Sequence, residues 1–238
     1  MSARRISAIV RKEFREYRRN RSIVVTMAIF PLIFLIQPLV VILRQPDTAA
    51  ASLVHVHLLL YMLAIPVLAP AAIAASAVTS ERLQESLEPV LSTPIRREEF
   101  LVGKALAALI PSIAIAYVVY VVFIVLTLLL AQPAVAAAIL QGPDVLAQVV
   151  FTPLLGLMSI WIGLAISTRS SDVRVAQQLS LLGCVPAVLV TSLIAFDVIH
   201  ATLGLALGLG AVGIVADAAG WRIVSPMFDR ERLITGTK

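Results

Sequence analysis

Apolar residues run in long stretches along this chain, and the polar clusters between them set the limits of its elements. A transmembrane helix needs about 20 apolar residues in succession. Six stretches qualify, at 22–43, 53–78, 105–131, 145–167, 175–196 and, more loosely, 199–219. Gly204, Gly208, Gly210 and Gly213 crowd the last of these, and Asp217 stands near its end. Pro31, Pro38, Pro66, Pro70, Pro111, Pro153 and Pro186 fall inside predicted spans, where each removes a backbone donor and favours a kink. The pattern predicts an all-α integral membrane protein whose 238 residues form one six-helix domain.

Two polar segments stand out against this background. Residues 4–21 are charged yet periodic: on a helix Ile6, Val10, Phe14 and Tyr17 share one arc, with Ile9 at its edge and most arginines outside it. Such a helix is expected to lie in the membrane interface, its apolar arc in lipid. Glu13 projects into that arc and should require a cationic partner there. The second segment, 79–104, holds nine ionisable residues between the second and third spans: Glu81, Arg82, Glu85, Glu88, Arg96, Arg97, Glu98, Glu99 and Lys104. Leu83, Leu87, Val90 and Leu91 share one helical face, with Glu81, Glu85 and Glu88 nearly opposite. Pro89 should end that helix. Thr93-Pro94 then reads as an N-cap followed by proline at the first helical position, opening a short helix over 95–104 with Glu98 and Glu99 in its first turns.

Composition and charge fix the setting. At 60% hydrophobic residues and a mean hydropathy of +0.97, the chain cannot form a soluble domain with a polar surface. With six spans, both termini and the segments 79–104 and 168–174 share one side, and 18 of the 19 lysines and arginines lie there; only Arg44 does not. Positive charge stays in the cytoplasm, so both termini of a multi-pass cell-membrane protein are expected there. The net charge of +5 is explained by this rule and calls for no nucleic acid. The lone Cys184 offers no disulfide framework and no metal cluster.

Chemistry is sparse. The span cores contain no Asp, Glu, Lys or Arg, with Asp217 and Lys104 at their ends. A proton- or sodium-coupled carrier usually buries such a group at membrane depth, so a self-powered carrier or channel is the weaker alternative. A lipid-modifying membrane enzyme, weaker still, would need clustered carboxylates or histidines. His55 and His57 are two residues apart, on different helix faces, and His200 is remote in sequence. Gly103-Lys104 lacks the upstream glycine of a phosphate loop, so the chain is expected to bind no nucleotide, cofactor or metal. Polar candidates for a cavity lining are Gln37, Thr127, Thr152, Ser159, Gln177, Gln178 and Thr191, too scattered to specify a substrate.

The letters of the charged segment add a resemblance. Residues Glu81, Leu87, Glu88, Leu91, Thr93, Pro94, Ile95, Arg97, Glu98, Gly103 and Lys104 resemble the loop between the second and third spans of ABC-2-type transporter permeases; Glu85-Ser86 stands where that family often has Gly-Thr. Lys12-Glu13-Phe14 and the ending Phe228-Asp229-Arg230-Glu231 are similar to further family elements. The resemblance implies an N-terminal elbow helix over 1–21 (Ile6, Val10, Glu13, Phe14, Tyr17), spans over 22–78 and 105–219, a cytosolic coupling segment at 79–104, and a cytosolic tail over 220–238. It also implies a non-enzymatic permease half, in an exporter, that pairs with a second identical or homologous permease among membrane lipids. ATP and Mg would be held by a separate ATP-binding subunit, docked on Glu81, Glu85, Glu88, Thr93, Pro94, Arg96, Arg97, Glu98 and Glu99, with the Leu83/Leu87 face packed on the bundle.

Overall fold

Long apolar stretches satisfy their backbone polar groups internally by forming helices, and the computed structural model, which describes residues 2–19, 21–46, 50–83 and 96–228, contains no strand among them. In chain order the helices are α1 (Ala3–Arg19), α2 (Arg21–Leu43), α3 (Ala50–Leu53), α4 (Leu58–Tyr61), α5 (Ala64–Ser76), α6 (Thr79–Leu83), α7 (Arg97–Leu130), α8 (Pro133–Ile139), α9 (Gly142–Arg169), α10 (Val173–Ala195) and α11 (Leu203–Val224), which ends in a 3₁₀ turn, Ser225–Phe228. Five segments are long and apolar enough to cross a membrane: Leu58–Glu81, Arg97–Leu130, Gly142–Arg169, Val173–Ala195 and Leu203–Phe228.

The second apolar stretch differs most from expectation. It does not begin at residue 53: the chain turns at Val54 and His55, and the His57 amide donates to the Ala195 carbonyl at 2.9 Å. Its helix is broken twice. Pro66 cannot donate to Met62, and the carbonyl of Met62 accepts the Ile65 amide at 3.0 Å and the Tyr120 hydroxyl at 3.2 Å. The second break, at Ala77 and Val78, is held by Ser167, whose Oγ accepts the Val78 amide at 2.9 Å and whose carbonyl accepts the Thr79 hydroxyl at 2.9 Å. Backbone groups freed by such breaks need partners of this kind wherever water does not reach them.

α5 is the centre of the bundle. Twelve of its thirteen residues are buried, six of them alanine, between α2, α7, α9 and α10. Helices in lipid gain little from apolar burial alone and associate through close packing at small residues. At Gly163 of α9 a Cβ would stand 2.7 Å from the Ala71 carbonyl and 2.8 Å from the Ala74 Cβ, so only glycine admits α5 this closely. By contrast, large apolar side chains on α2, α7, α10 and α11 face outward, among them Ile33, Val118, Leu182 and Leu207.

Two further boundaries move. The last long apolar helix, with its 3₁₀ turn, runs to Phe228, so residues 220–228 continue that helix, and Asp217 lies half-buried along it instead of at its end. Thr202, whose Oγ1 accepts the Leu205 amide at 3.1 Å, caps the helix at 203 and shifts it toward the C-terminus. The short helix expected over 95–104, leading into the third span, starts at Arg97 and is one helix with that span: α7 is continuous for 34 residues. Gly103 does not interrupt it.

Away from the charged segment, two of the three histidines pair with aspartates. His57 Nδ1 lies 2.9 Å from Asp144 Oδ1, and His200 Nδ1 lies 2.8 Å from Asp197 Oδ1. Asp197 has φ of +55° and closes α10: its amide donates to Ile194 and that of Val198 to Leu193. The hydrogen bond from the His200 ring to the Asp197 carboxylate holds the His200 pKa above its ordinary 6.5, and the same bond holds Asp197 below its ordinary 3.8. The His200 contribution to the turn is therefore complete below pH 6.5 and fades as pH rises through the raised value. The Asp197 contribution is complete above pH 3.8 and fades as pH falls through the lowered one. Asp197→Asn keeps a residue type that accepts positive φ and should return the NMR titration midpoint of His200 to about 6.5. An unchanged midpoint would discard the pair.

Candidate functional site

α1 lies across the first turns of α7, and its amphipathic pattern explains how. Ile9 and Tyr17 are buried, with Val10 and Phe14 beside them, in a core that includes Phe100, Leu101, Ala105 and Phe228. The arc expected in lipid thus faces protein, and Ile9, expected at its edge, sits at its centre. Each such side chain withdrawn from water stabilises the contact by about 1.5–3 kcal/mol. The approach is close. A Cβ on Gly103 would stand 2.7 Å from Ile9 Cγ2, so any larger residue there would push α1 away.

One turn beyond Ile9, Glu13 points into the same seam and meets Lys104, the neighbour of Gly103. The ammonium of Lys104 donates to Glu13 Oε1 at 2.8 Å and to the Ala77 carbonyl at 2.8 Å, and pairs with Glu81 Oε2 at 2.9 Å. Two of its protons thus have hydrogen-bond acceptors and the ammonium gains a second carboxylate by ion pairing, while the side chain is only 1% exposed. Lys12 completes the cluster through an ion pair with Glu81 and another with Glu16 at 3.2 Å. Three sequence elements far apart in the chain, Lys12-Glu13, Glu81 and Gly103-Lys104, therefore form one buried unit. The break at Ala77 contributes the last acceptor.

Electrostatics follow from burial. The Glu13 carboxyl is pushed above its ordinary value by removal from water, an effect opposed by Lys104 and reinforced by Glu81. Burial disfavours the Lys12 ammonium, yet Glu81, Glu13 and Glu16 outweigh it and hold its pKa above the usual lysine value. Burial, with Glu13, Glu16 and Glu81 nearby, likewise raises Tyr17 well above the usual tyrosine value. The carboxylates of Glu13, Glu16 and Glu81 come within 4.8 Å of one another, the spacing of a cation site. Two lysine ammoniums supply the positive charge.

A second tie joins the starts of the two helices. Glu99 Oε1 accepts the Ser2 amide at 2.7 Å, and Oε2 accepts the Arg96 amide at 3.2 Å and the Arg5 guanidinium at 3.3 Å. Glu99 is thus the N3 residue whose side chain caps α7 at Arg96.

The expected docking residues divide accordingly. Arg96 and Arg97 are exposed and Glu98 is half-buried. Glu81 and Glu99, each 2% exposed, are turned inward. Leu83, expected against the bundle, is 62% exposed; the α6 register is inverted because Lys12 and Lys104 offer Glu81 counter-ions inside. Glu85, Glu88, Thr93 and Pro94 lie outside the described residues; α7 itself starts at Arg97 with Glu98 and Glu99 in its first turn, as expected. Of the elbow residues, Glu13 and Tyr17 are buried and Ile6, Val10 and Phe14 half-buried. Sequence reasoning missed Lys104 as the partner Glu13 required, although a lysine beside a glycine at a span mouth was the available signal. Of the scattered polar residues, Thr127, Thr152 and Ser159 are buried, Gln37 is exposed, and Thr191 bonds its own helix through Ala187.

Removing one partner of a buried ion pair costs about 3–5 kcal/mol, whereas replacing both with apolar groups is often neutral. Lys104→Met should therefore lower the melting temperature of the purified protein sharply, and adding Glu13→Met should restore part of the loss. Equal melting of wild type and Lys104→Met would mean that the cluster does not hold α1 in place.

A family model described as an ABC-2 family transporter protein matches residues 7–214, a stretch that includes the whole ion cluster. No individual curated protein matches. A seam closed by Lys12-Glu13 and Gly103-Lys104, in a bundle of apolar helices under a family match of this extent, makes the chain a member of the ABC-2 transporter family, a membrane-spanning permease.

Proposed function

We propose that this permease forms half of an ATP-driven exporter, with ATP hydrolysed on separate subunits that dock at residues 81–104. The second half is another copy or a homologous permease. The observation that carries the reading is the connection of the docking segment to the rest of the molecule. α7 extends 34 residues, about 51 Å at 1.5 Å per residue, without a break. Arg96, Arg97 and Glu98 stand at its exposed tip, and Glu81, Glu99 and Lys104 clamp its base to α1 and to the end of the second span. A push on the tip would move α1, α6 and α7 as one body.

The remaining parts follow in the same sense. α2, 23 residues or about 34 Å long, serves as the first of six spans, and α1 as the elbow. In this reading the charged end faces the cytoplasm, as the positive-inside rule favours, with both termini there, and the membrane is that of a bacterial or archaeal cell. Glu85, Glu88, Thr93 and Pro94 belong to the docking surface with Arg96, Arg97 and Glu98. Glu81 and Glu99 act behind that surface, fixing it to α1.

Copurification from gentle detergent should bring down an ATP-binding subunit in stoichiometric amount. In that complex Arg97→Glu or Glu88→Lys should lower permease-stimulated ATPase activity at least fivefold without changing the melting temperature. Full stimulation by both variants would remove residues 81–104 from the coupling role, and recovery of the chain without any ATP-binding protein would remove the exporter reading.

A further inference from the structure

On a helix His55 and His57 would stand on different faces, yet residues 54–57 form a turn instead. The His57 amide ties that turn to the end of α10, donating to the Ala195 carbonyl at 2.9 Å. Two residues further on, Asp197 reverses the chain at positive φ, and His200 follows before α11 begins at Leu203. Asp144, in the first turn of α9, reaches the same place through His57. The Asp197 carboxylate is bonded to His200 and also lies in the electrostatic field of His55 and His57. Three segments far apart in sequence thus bring all three imidazoles of the chain around one turn.

Two of the rings are held in the same way. His57 Nδ1 lies 2.9 and 3.0 Å from the two oxygens of Asp144, and His200 Nδ1 lies 2.8 Å from Asp197 Oδ1. An ionised carboxylate can only accept, so Nδ1 carries the proton in each ring, and in the neutral imidazole Nε2 keeps its lone pair. Among the described residues no hydrogen bond engages either Nε2. Asp144 is 3% exposed, so its carboxylate is committed to His57. The rings are open to water: the His57 side chain is 16% exposed, that of His200 81%, and His55 is exposed as well. An imidazole with Nδ1–H donated to a carboxylate and Nε2 bare is the form that ligates a metal, the carboxylate fixing the tautomer and raising the basicity of the ring.

We propose that His55, His57 and His200 form a site for one divalent transition-metal ion, of which Zn²⁺ is the type, at the junction of the 54–57 turn with the α10–α11 connection. His57 and His200 bind through Nε2, with Asp144 and Asp197 behind them. His55 completes a set of three imidazoles, which leaves a fourth position for water. Imidazoles without a thiolate suit Zn²⁺, Ni²⁺ or Cu²⁺, whereas Ca²⁺ and Mg²⁺ prefer oxygen. His200, on an exposed connection, turns toward the ion without displacing packed neighbours. The bound ion fastens the start of the second apolar segment to the turn that links α10 and α11. The site requires no ATP-binding partner and does not rest on the exporter reading.

The test uses the purified full-length chain in detergent, without a histidine tag, stripped with EDTA and titrated with Zn²⁺ by calorimetry. One Zn²⁺ should bind per chain, and Mg²⁺ should not compete. His55→Gln, His57→Gln and His200→Gln should each weaken binding, and the combined His57→Gln and His200→Gln variant should abolish it. Asp197→Asn, which leaves every ligand in place, should weaken binding about tenfold or more. Co²⁺ should give the intense visible absorption of a four-coordinate ion, lost in His200→Gln. Because His200 is exposed, metal-free His200→Gln should melt with the metal-free wild type, and added Zn²⁺ should raise the melting temperature of the wild type alone. Unchanged Zn²⁺ binding in the double histidine variant overturns the proposal, as does the absence of stoichiometric binding by the wild type. Loss of Zn²⁺ in Glu16→Gln, with full binding kept in the histidine variants, would move the ion to Glu13, Glu16 and Glu81 and overturn it equally.

Discussion

Much of this structure depends on the burial of one lysine. An ammonium withdrawn from water is tolerable only when anions and hydrogen-bond acceptors surround it. Lys104 finds them on α1, on α6 and at an unwound carbonyl of the second span. No two of these elements could supply the whole set. The requirement therefore fixes three segments relative to one another, which apolar contact, being non-directional, would not do. It also explains why α1 docks on α7 instead of spreading on a lipid surface. Once Glu13 must reach Lys104, Ile9 is carried onto Gly103 and the apolar arc is used up in protein contact.

A similar economy governs the backbone. Proline and small residues loosen the second span, and each loosened carbonyl or amide meets a specific side chain: Tyr120 at Met62, Ser167 at Val78 and Thr79, Lys104 at Ala77. Hydroxyl groups at Tyr120 and Ser167, unremarkable in an apolar sequence, are therefore structural partners of breaks in a neighbouring helix. These polar contacts concentrate on α5 and its extensions, while α2, α7, α10 and α11 present leucine, isoleucine and valine outward.

The sequence made the spans legible because a run of about 20 apolar residues has few other uses; α9 and α10 match their stretches to within three residues at each end. The requirement of Glu13 for a cation was legible too, since a carboxylate in an apolar arc is costly. What could not be read was which side each carboxylate of the charged segment faces. Helical periodicity assigns residues to faces, but it does not say which face is covered, and Glu81 was expected on the surface because acidic residues usually are. Two lysines, one 69 positions and the other 23 positions away, reversed that expectation. The start of the second span was misplaced for a related reason: a turn over Val54–His57 that docks on Ala195 has no hydropathy signature.

The length of α7 bears on how such a cluster can exist in a membrane protein at all. From Lys104 to the helix end at Leu130 is 26 residues, about 39 Å, against a hydrocarbon core of about 30 Å. With Leu130 at the far boundary, Lys104 stands some 9 Å clear of the near one, among headgroups and water. During synthesis, then, each of these charges can stay hydrated while the helices enter the bilayer separately. On that placement the cluster would lose its water only once α1 covers the seam, which would make its closure a late step of assembly.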